Sequence, residues 1–380
     1  MEIILEKENF LNGIKIVEKI TAQKAVQPVL SNILIETVSS DRVKFSATDL
    51  NQSISFKVAA DVIKEGKITL NAKKLGEIIL RLEEKPVVLS VDMETSQAKI
   101  ACGRSNFELV AISANDFPNV FPDSETPDPD NKEFEINKNI FNKIIKQTIY
   151  SAAQNELASV LGGLCVTIED NILEAAATDG NRLTRSRKEI NSKGQGGSFI
   201  IPVKTLNELI RISSIIEDET LKLVIEKNKI LFLFKDLKFS SKLIEGNYPK
   251  YQQLIPTNNE KKILIDREDL IHSIERVSVM VNERTNIIKF NFGKDSLEVC
   301  TDAPESGSGS DQLEIEYDFE ELTIAFNYKY VLDALKNMET KNIKLEISTS
   351  LSASIIKESL EDTEKENNYV CLIMPVQVRK

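Results

Sequence analysis

Few side chains in this sequence are of the types, and at the spacings, that enzymes use for catalysis. The chain has 380 residues but a single histidine, His272. A Ser-His-Asp or Cys-His catalytic arrangement would therefore have to use that residue. His272 lies in the helical stretch 269–275, which indicates a surface or partly buried helix histidine. The same count excludes histidine-rich metal sites.

The remaining nucleophiles and phosphate-binding patterns also argue against catalysis. Four cysteines are scattered along the chain, at Cys102, Cys165, Cys300 and Cys371. Their spacing suits neither a metal nor a redox pair, so we interpret them as buried, reduced thiols of a cytoplasmic protein. No Walker-type loop or dinucleotide fingerprint is present, and the glycine-rich segments 194–197 and 306–310 are interpreted as flexible hairpin loops. We expect no catalytic residue, metal or cofactor.

Lysines and arginines offer a different chemistry, which is the binding of a polyanion. The whole chain carries a formal charge of −11. Six predicted helices nevertheless carry a net positive charge, to which Lys138 and Arg267 contribute. Lysines on one helix face are common, but a positive charge summed over six helices of an acidic chain indicates one basic surface on an acidic body.

These helices are predicted from the spacing of apolar residues, for example Phe141, Ile144, Ile145 and Ile149. The predicted helices lie near residues 10–20, 73–82, 137–153, 203–214, 267–281 and 327–338. The rest of the chain alternates like strands. We therefore predict an α+β fold in which helices lie on antiparallel sheets.

Two landmarks recur three times and indicate internal repetition. The dipeptide Thr-Asp begins at Thr48, Thr178 and Thr301, and each copy follows a hairpin pattern. The separations of 130 and 123 residues are those of a domain. A lysine near the start of each second helix repeats at the same spacing, at Lys73, Lys204 and Lys329. We predict three domains of one fold, at 1–127, 128–258 and 259–380.

The chain has no membrane or export signal in its sequence. No apolar run approaches the roughly 18 residues that a membrane span needs. Residues 1–6 look like a strand and lack the basic segment of a signal peptide. We expect a cytoplasmic protein with no membrane partner.

Several motifs resemble those of the bacterial sliding clamps, the beta subunits of DNA polymerase III holoenzymes. The motifs lie at residues 177–183, 326–332 and 374–376, with further similarity at 116–118 and 248–251. The resemblance covers the whole chain. It implies a non-catalytic processivity factor with the clamp fold, built as a head-to-tail homodimeric ring around duplex DNA. Helices would line the hole and sheets would form the outer wall.

The resemblance gives the basic helices a partner. Phosphate contacts carry no sequence information, so such a ring could slide on any duplex. Lys24 occupies the position of a DNA-contacting basic residue in the family, and the other predicted contacts rest on helix placement and charge. The predicted DNA-binding residues are Lys24, Lys73, Lys143, Lys146, Lys204, Arg211 and Lys329.

The resemblance also implies a pocket for short peptides of partner proteins, between the second and third predicted domains. The pocket residues carried over are Leu161, Thr178, Gly180, Arg182, Leu183, Pro249, Gln253, Leu254, Tyr330, Leu372, Met374, Pro375 and Val376. Such an apolar hole would accept Leu and Phe anchors of a linear motif. Gln253 stands where many relatives carry arginine. Expected partners are the replicative polymerase catalytic subunit, the clamp loader and other replication and repair proteins with this motif.

The dimer seam is implied by the same resemblance. It would set Phe107 and Leu109 of one subunit against Val279 and Met280 of the other. Lys74 and Glu298 would add a charge pair, which contributes at most about 1 kcal/mol if exposed, so apolar contacts should dominate.

Two other functions are compatible with the residues alone. A multidomain scaffold that never encircles DNA would share the peptide pocket but would not be retained on closed circular DNA. An enzyme with an unrecognised carboxylate site would show a deep polar pocket with paired acids. The absence of a phosphate-binding loop means that the ATPase that opens a ring would be another protein.

Overall fold

A computed structural model describes residues 1–22, 27–92, 95–121, 131–154, 159–190, 196–303, 307–360 and 368–377. Its contacts divide the chain into two compact units. The first comprises the described residues of Met1–Lys138 and Lys204–Leu243. The second comprises those of Asn139–Asn191, Gln195–Val203 and Ile244–Lys380.

Six α-helices lie close to the six predicted ones and confirm their existence. They are α1 Lys7–Val17, α2 Ala72–Arg81, α3 Lys138–Thr148, α4 Val203–Ser213, α5 Arg267–Ser278 and α6 Tyr328–Lys336. Side chains cap three of the starts. Asn71 accepts a hydrogen bond from the Lys74 amide, Asn327 from Lys329, and Asp266 from the amides of the first turn of α5. None of the described helices is long and apolar enough to cross a membrane.

The strands are short and numerous, as the α+β prediction requires. In chain order they are β1 Glu2–Leu5, β2 Asn32–Ser39, β3 Arg42–Thr48, β4 Gln52–Ala59, β5 Asp61–Lys64, β6 Lys67–Asn71, β7 Val87–Asp92, β8 Gln97–Cys102, β9 Ser105–Val110, β10 Lys132–Asn137, β11 Gly163–Glu169, β12 Ile172–Thr178, β13 Arg182–Glu189, β14 Gly197–Pro202, β15 Thr220–Ile225, β16 Lys229–Leu233, β17 Leu237–Lys242, β18 Lys261–Asp266, β19 Ile287–Gly293, β20 Ser296–Ala303, β21 Gly307–Glu314, β22 Leu322–Asn327, β23 Asn342–Ile347, β24 Ser354–Glu358 and β25 Tyr369–Ile373. The hairpins β2–β3, β11–β12 and β19–β20 confirm the three predicted ones.

The first unit contains two antiparallel sheets. A five-stranded sheet has the order β5-β1-β7-β8-β9, and an eight-stranded sheet has the order β10-β15-β16-β17-β4-β3-β2-β6. Helix α1 packs on the larger sheet, where the ring of Phe10 meets that of Phe45 with centroids 5.7 Å apart. Gly13 permits this approach, because a Cβ there would lie 2.9 Å from the Phe45 ring.

The second unit repeats the plan with a sheet of eight strands and a sheet of four. The orders are β14-β11-β12-β13-β25-β24-β23-β18 and β21-β20-β19-β22. Its main core joins α5 and α6 to both sheets through buried residues such as Leu270, Phe290, Phe326, Leu335 and Ile356. Each eight-stranded sheet takes strands from two of the predicted domains. The boundaries predicted at 127 and 258 therefore describe the sequence repeats and do not coincide with the limits of the two compact units.

One side-chain interaction recurs in all three repeats and was not anticipated. The first residue of α1, of α3 and of α5 is basic. Its side chain donates hydrogen bonds to backbone carbonyl oxygens in the last turn of the following helix or in the residues just after that helix. Lys7 Nζ lies 2.6 Å from Leu82 O, and Lys138 Nζ donates to Ile216 O and, at 3.2 Å, to Ser213 O. Arg267 Nε lies 2.9 Å from Thr340 O.

These contacts satisfy carbonyls that a helix end leaves unpaired, and they place positive charge at the negative end of the helix dipole. Lys7 and Lys138 are buried, at 9% and 8% exposure. The ammonium of Lys138 therefore supports the fold. The net charge of the helices overstated the positive charge available to a polyanion, because it included Lys138 and Arg267.

The interpretation of the glycine-rich segments as loops was wrong for Gly197 and for residues 307–310, whereas Gly196 lies outside the strands. Gly307 begins β21, which pairs with β20 from Ala303↔Gly307 to Ser296↔Glu314, and Gly197 begins β14. The small residues suit a strand here because Met280 packs over it. A Cβ on Gly309 would lie 3.2 Å from Met280 Cγ. Gly194 and Ser306 lie outside the described residues.

We predict that Lys138→Met lowers the stability of the first unit by about 1–3 kcal/mol, because it leaves the carbonyls of Ser213 and Ile216 without their donor. Chemical denaturation followed by circular dichroism would measure the loss. Lys146→Met on the exposed face of the same helix is the control and should change stability by less than about 0.5 kcal/mol. Equal midpoints for the two variants would contradict the capping role.

Candidate functional site

The first two Thr-Asp dipeptides form the same turn. Thr178 Oγ1 donates to Arg182 O at 2.6 Å and accepts from the Gly180 amide, while Asp179 Oδ1 accepts from the amides of Asn181 and Arg182. The first repeat reproduces all four hydrogen bonds around Thr48, with Thr48 Oγ1 donating 2.8 Å to Gln52 O. In these two copies the Thr-Asp dipeptide thus stabilises a hairpin turn, because both side chains form hydrogen bonds with backbone groups of the turn.

The third copy differs from the other two. Thr301 Oγ1 donates to Ile287 O at 3.1 Å, and Asp302 lies within β20. The sequence period therefore marks equivalent positions, but Thr301 and Asp302 are strand residues where the other two copies begin a turn.

Arg182 holds the second turn against helix α6. Its Nε donates to Asp179 Oδ2 at 3.1 Å and its Nη1 to Asp333 Oδ2 at 2.6 Å, while Nη2 donates to Tyr150 O. The guanidinium carbon lies 4.3 Å from the ring centroid of Tyr330. Carboxylates on two sides and an aromatic face keep this buried charge neutralised and rigid.

The apolar floor beside this turn comes from strand pairing. Leu183 of β13 lies opposite Leu372 of β25, and both belong to a buried cluster with Ile355 and Tyr251. Leu183 is 2% and Leu372 5% exposed. These two predicted pocket residues are therefore mostly covered in the free chain, and they form a floor rather than a protruding contact surface.

The segment after β25 is tied to the site through its backbone. The Met374 amide donates to Asn181 O at 2.9 Å, and the Val376 amide donates to Ala325 O at 2.8 Å. The Met374 side chain remains 40% exposed. The tail thus presents a flexible apolar side chain at the edge of the Leu183–Leu372 floor.

A wall of the site is a 3-10 helix over Tyr251–Leu254, which follows Pro249 and packs on the floor through Tyr251. Leu254 is 58% exposed, and Pro249 and Gln253 are also exposed. Tyr248 fixes the start of this segment, because its hydroxyl accepts from the Thr178 amide at 3.1 Å.

All thirteen predicted pocket residues lie in the second unit, and contacts and strand pairing join most of them around one site. The direct links described above involve Thr178, Gly180, Arg182, Leu183, Tyr330, Leu372 and Met374. Leu161 belongs to the half-buried 3-10 helix Val160–Gly162. The site combines the apolar Leu183–Leu372 floor, the exposed side chains of Leu254 and Met374, and the buried Arg182.

The equivalent position in the first unit has the same backbone but different chemistry. Leu50, with φ 70°, occupies the place of Gly180, with φ 88°. Ser53 lies opposite Ser240 where the second unit has the leucine pair. Since serines cannot offer an apolar floor, only the second of the two equivalent places suits a hydrophobic anchor.

The predicted DNA-binding residues differ in whether their charges are already paired with carboxylates of the same chain. Lys143 Nζ lies 2.5 Å from Glu339, and Lys204 Nζ lies 2.8 Å from Asp49. Arg211 pairs with Glu208 and donates to the carbonyls of α1. Within the described chain no ion pair involves Lys73, Lys146 or Lys329, and all three side chains are exposed. Lys24 lies outside the described residues.

The predicted seam residues lie on two separate surfaces, one in each unit. In the first unit, β9 is an edge strand that carries Phe107 and Leu109. In the second, Val279 is 81% exposed beyond α5, and Met280 packs on the edge strand β21. Lys74 is exposed, and Glu298 accepts from Asn291 Nδ2 at 2.9 Å.

Sequence reasoning missed several residues at these surfaces. Val110, 83% exposed, extends the apolar edge of β9, and its position at the end of an alternating strand was the available signal. Tyr248 and Tyr251 were seen only as part of a motif, although both hold the pocket wall. Nothing in the local sequence indicated Asp333 as a partner of Arg182.

Comparisons with known proteins agree along the whole chain. Family models described as the N-terminal, central and C-terminal domains of the DNA polymerase III beta subunit match residues 1–121, 135–250 and 252–377. The beta sliding clamp of Chlamydia trachomatis is 29% identical over 360 residues, which cover 94% of this chain and 84% of that relative. The beta sliding clamp of Pseudomonas aeruginosa is 27% identical over 380 residues and all of both chains.

Solved structures give the same result. A Pseudomonas aeruginosa sliding clamp bound to griselimycin superposes with a TM-score of 0.91 at 26% identity, covering 100% of both chains. The sliding clamp of Bacillus subtilis superposes with a TM-score of 0.90 at 25% identity, again over 100% of both chains. The predicted α+β clamp fold is confirmed.

We predict that Arg182→Met destabilises the second unit by about 2–3 kcal/mol, because it leaves Asp179 and Asp333 without their shared partner and Tyr150 O without a donor. Denaturant unfolding would measure this change. Arg276→Met is the control, since the Arg276–Asp311 pair is largely exposed on the arginine side, at 59%. That variant should lose less than about 1 kcal/mol. Equal losses would show that Arg182 contributes no more than a surface arginine.

Proposed function

The chain belongs to the family of DNA polymerase III beta subunits, the bacterial sliding clamps, and from this membership we propose how its surfaces serve that function. It is a DNA polymerase processivity factor in replication and a non-catalytic accessory subunit of the polymerase. The observation that carries this conclusion is the match of three consecutive domain models along nearly the whole chain.

The proposed assembly is a homodimeric ring of six similar domains that encloses duplex DNA. The three predicted domains of each chain would be 1–127, 128–258 and 259–380, with helices toward the hole and sheets outside. Enclosure rather than tight binding would keep the ring on DNA, so mobile phosphate contacts suffice. Lys73, Lys146 and Lys329 support this role best, because their charges are exposed. Lys24, Lys143, Lys204 and Arg211 are the further proposed contacts.

The proposed seam joins the β9 edge of one subunit to the β21 edge of the other. Unpaired edge strands expose donors and acceptors that a second strand can satisfy. Phe107, Leu109, Val279 and Met280 would bury apolar surface beside that pairing, and Lys74 and Glu298 would add a minor charge contact.

The proposed pocket binds a short peptide of a partner, with Leu and Phe side chains on the Leu183–Leu372 floor. Leu254 and Met374 would close over the anchors from two sides. The remaining pocket residues proposed are Leu161, Thr178, Gly180, Arg182, Pro249, Gln253, Tyr330, Pro375 and Val376. The occupants would be the replicative polymerase catalytic subunit and other proteins with the same motif.

The chain would work in the cytoplasm, where the bacterial chromosome lies, and it would need a separate clamp loader. Since no phosphate-binding loop occurs in the sequence, ATP hydrolysis would belong to that loader. The function as a whole is tested by loading the protein onto nicked circular duplex DNA with purified loader and ATP. Retention through gel filtration that is lost when the DNA is linearised would support enclosure, and equal retention on both would favour a scaffold that does not encircle DNA.

We predict that Met280→Asp converts the dimer to monomers, because a carboxylate would be buried at the apolar seam without a partner. Light scattering gives the mass. Leu351→Asp is the control: Leu351 is 61% exposed in the same unit and away from the seam, so that variant should remain dimeric. An unchanged dimer mass for Met280→Asp would refute the placement of the seam.

We predict that Met374→Ala weakens binding of a fluorescent Gln-Leu-x-Leu-Phe peptide by about tenfold, as expected when an interface anchor contact is truncated. Fluorescence anisotropy measures the Kd. Leu264→Ala removes a similarly exposed apolar side chain, at 48%, outside the pocket and should not change affinity. The pocket assignment fails if both variants bind the peptide as tightly as the native chain.

A further inference from the structure

The pocket wall formed by Tyr251–Leu254 cannot hold itself in place. It is a four-residue 3-10 helix whose first end has no side-chain cap. Such short helices have weak internal hydrogen bonds and depend on tertiary contacts. Its own backbone bonds are few: the Gln253 amide donates to Lys250 O at 3.2 Å, and the Tyr251 amide donates to Pro249 O. The exposed side chains of Gln253 and Leu254 therefore need an anchor elsewhere.

That anchor is the ring and hydroxyl of Tyr251. The side chain is 2% exposed and packs in the cluster that contains Leu183 and Leu372. Its ring meets that of Tyr248 edge to face, with centroids 6.2 Å apart. The hydroxyl donates to Glu174 Oε1. Burial, together with the hydrogen bond to this carboxylate, raises the pKa of Tyr251, so the phenol remains protonated and able to donate.

Glu174 is an unusual residue for its position. It lies on β12, is 6% exposed, and shares one face of the sheet with Leu183 of the apolar pocket floor. Its strand register sets it directly opposite Arg187 of β13, whose Nε donates to the second carboxylate oxygen. One carboxylate oxygen thus pairs with the Arg187 guanidinium, and the other accepts a hydrogen bond from the Tyr251 hydroxyl. A buried carboxylate is costly unless it is paired in this way.

We propose that Glu174 is a positioning residue of the peptide pocket, which acts through Tyr251 to fix the wall that carries Gln253 and Leu254. Glu174 touches no occupant of the pocket itself. Its contribution is to keep Leu254 at a constant distance from the Leu183–Leu372 floor, so that a peptide anchor meets a preformed site. This inference rests on the proposed peptide-binding function.

The test compares peptide affinity in variants of Tyr251 and Glu174. These variants distinguish loss of the hydrogen-bond acceptor for the phenol from loss of the negative charge of Glu174. Tyr251→Phe and Glu174→Ala both remove the hydrogen bond and should weaken binding of the Gln-Leu-x-Leu-Phe peptide by roughly fivefold to tenfold. Glu174→Gln keeps one oxygen acceptor for the phenol, because the Arg187 guanidinium, whose side chain is 43% exposed, can turn to water instead, and this variant should stay within about twofold of the native affinity. The double variant Tyr251→Phe/Glu174→Ala should lose no more than either single variant, since one contact is removed twice.

Tyr317→Phe is the matched control. Tyr317 is 1% exposed and its hydroxyl donates to Glu320 O at 2.7 Å in the same unit, so the variant loses a comparable buried hydrogen bond away from the pocket. It should bind the peptide like the native chain. Native affinity in Tyr251→Phe, an equal loss in Tyr317→Phe, or equal losses in Glu174→Gln and Glu174→Ala would each overturn the proposal.

A second measurement separates this inference from the pocket itself. If the native chain binds no such peptide, the proposed occupant is wrong, but the anchoring can still be read by amide hydrogen exchange. The amides of Gln253 and Leu254 should then exchange faster in Tyr251→Phe and Glu174→Ala than in the native chain and in Glu174→Gln. Unchanged exchange in all variants would overturn the positioning role.

Discussion

Backbone pairing between distant strands is the interaction on which the rest of this structure depends. A strand with an open edge exposes a row of unpaired amides and carbonyls, which must be covered or paired. The pairing of β4 with β17 and of β13 with β25 extends both large sheets to eight strands. The second of these pairings also sets Leu183 beside Leu372, and so it creates the apolar floor of the pocket. Two of the edge strands of the smaller sheets, β9 and β21, carry or support the proposed seam.

The sequence predicted the features that depend on near neighbours. Amphipathic spacing located the six helices, and alternation around turn residues located the hairpins, because both patterns report which face of a short segment is buried. The pocket residues came from resemblance, since no local pattern links Thr178 to Met374. Pairing across more than a hundred residues, as in Arg182 with Asp333, could not be read locally. The Gly307–Ser310 strand was missed because its glycines are explained only by Met280 packing above them.

Comparison of the two Thr-Asp turns shows how one backbone can carry two different surfaces. The turns share four hydrogen bonds, yet Gly180 and the leucine pair of one are replaced by Leu50 and the serine pair of the other. The hydrogen bonds between side chains and backbone set the shape of the turn, while the residues that make none of these bonds through their side chains are free to vary. A repeated fold can therefore supply one apolar site per chain while its repeats keep the same backbone conformation.

The buried basic residues at the helix starts affect how lysine reactivity in this protein can be interpreted. Reagents that acylate lysine need a neutral amine that solvent can reach, and Lys7 and Lys138 are enclosed and hydrogen-bonded to carbonyl oxygens. Both should therefore stay unlabelled in a chemical footprint whether or not a nucleic acid is bound. Lys73 of α2 and Lys146 of α3 are exposed and can report protection. In such a footprint, a lysine that is never labelled can be one whose ammonium group caps a helix end. Only a lysine whose labelling changes when nucleic acid is added indicates a contact.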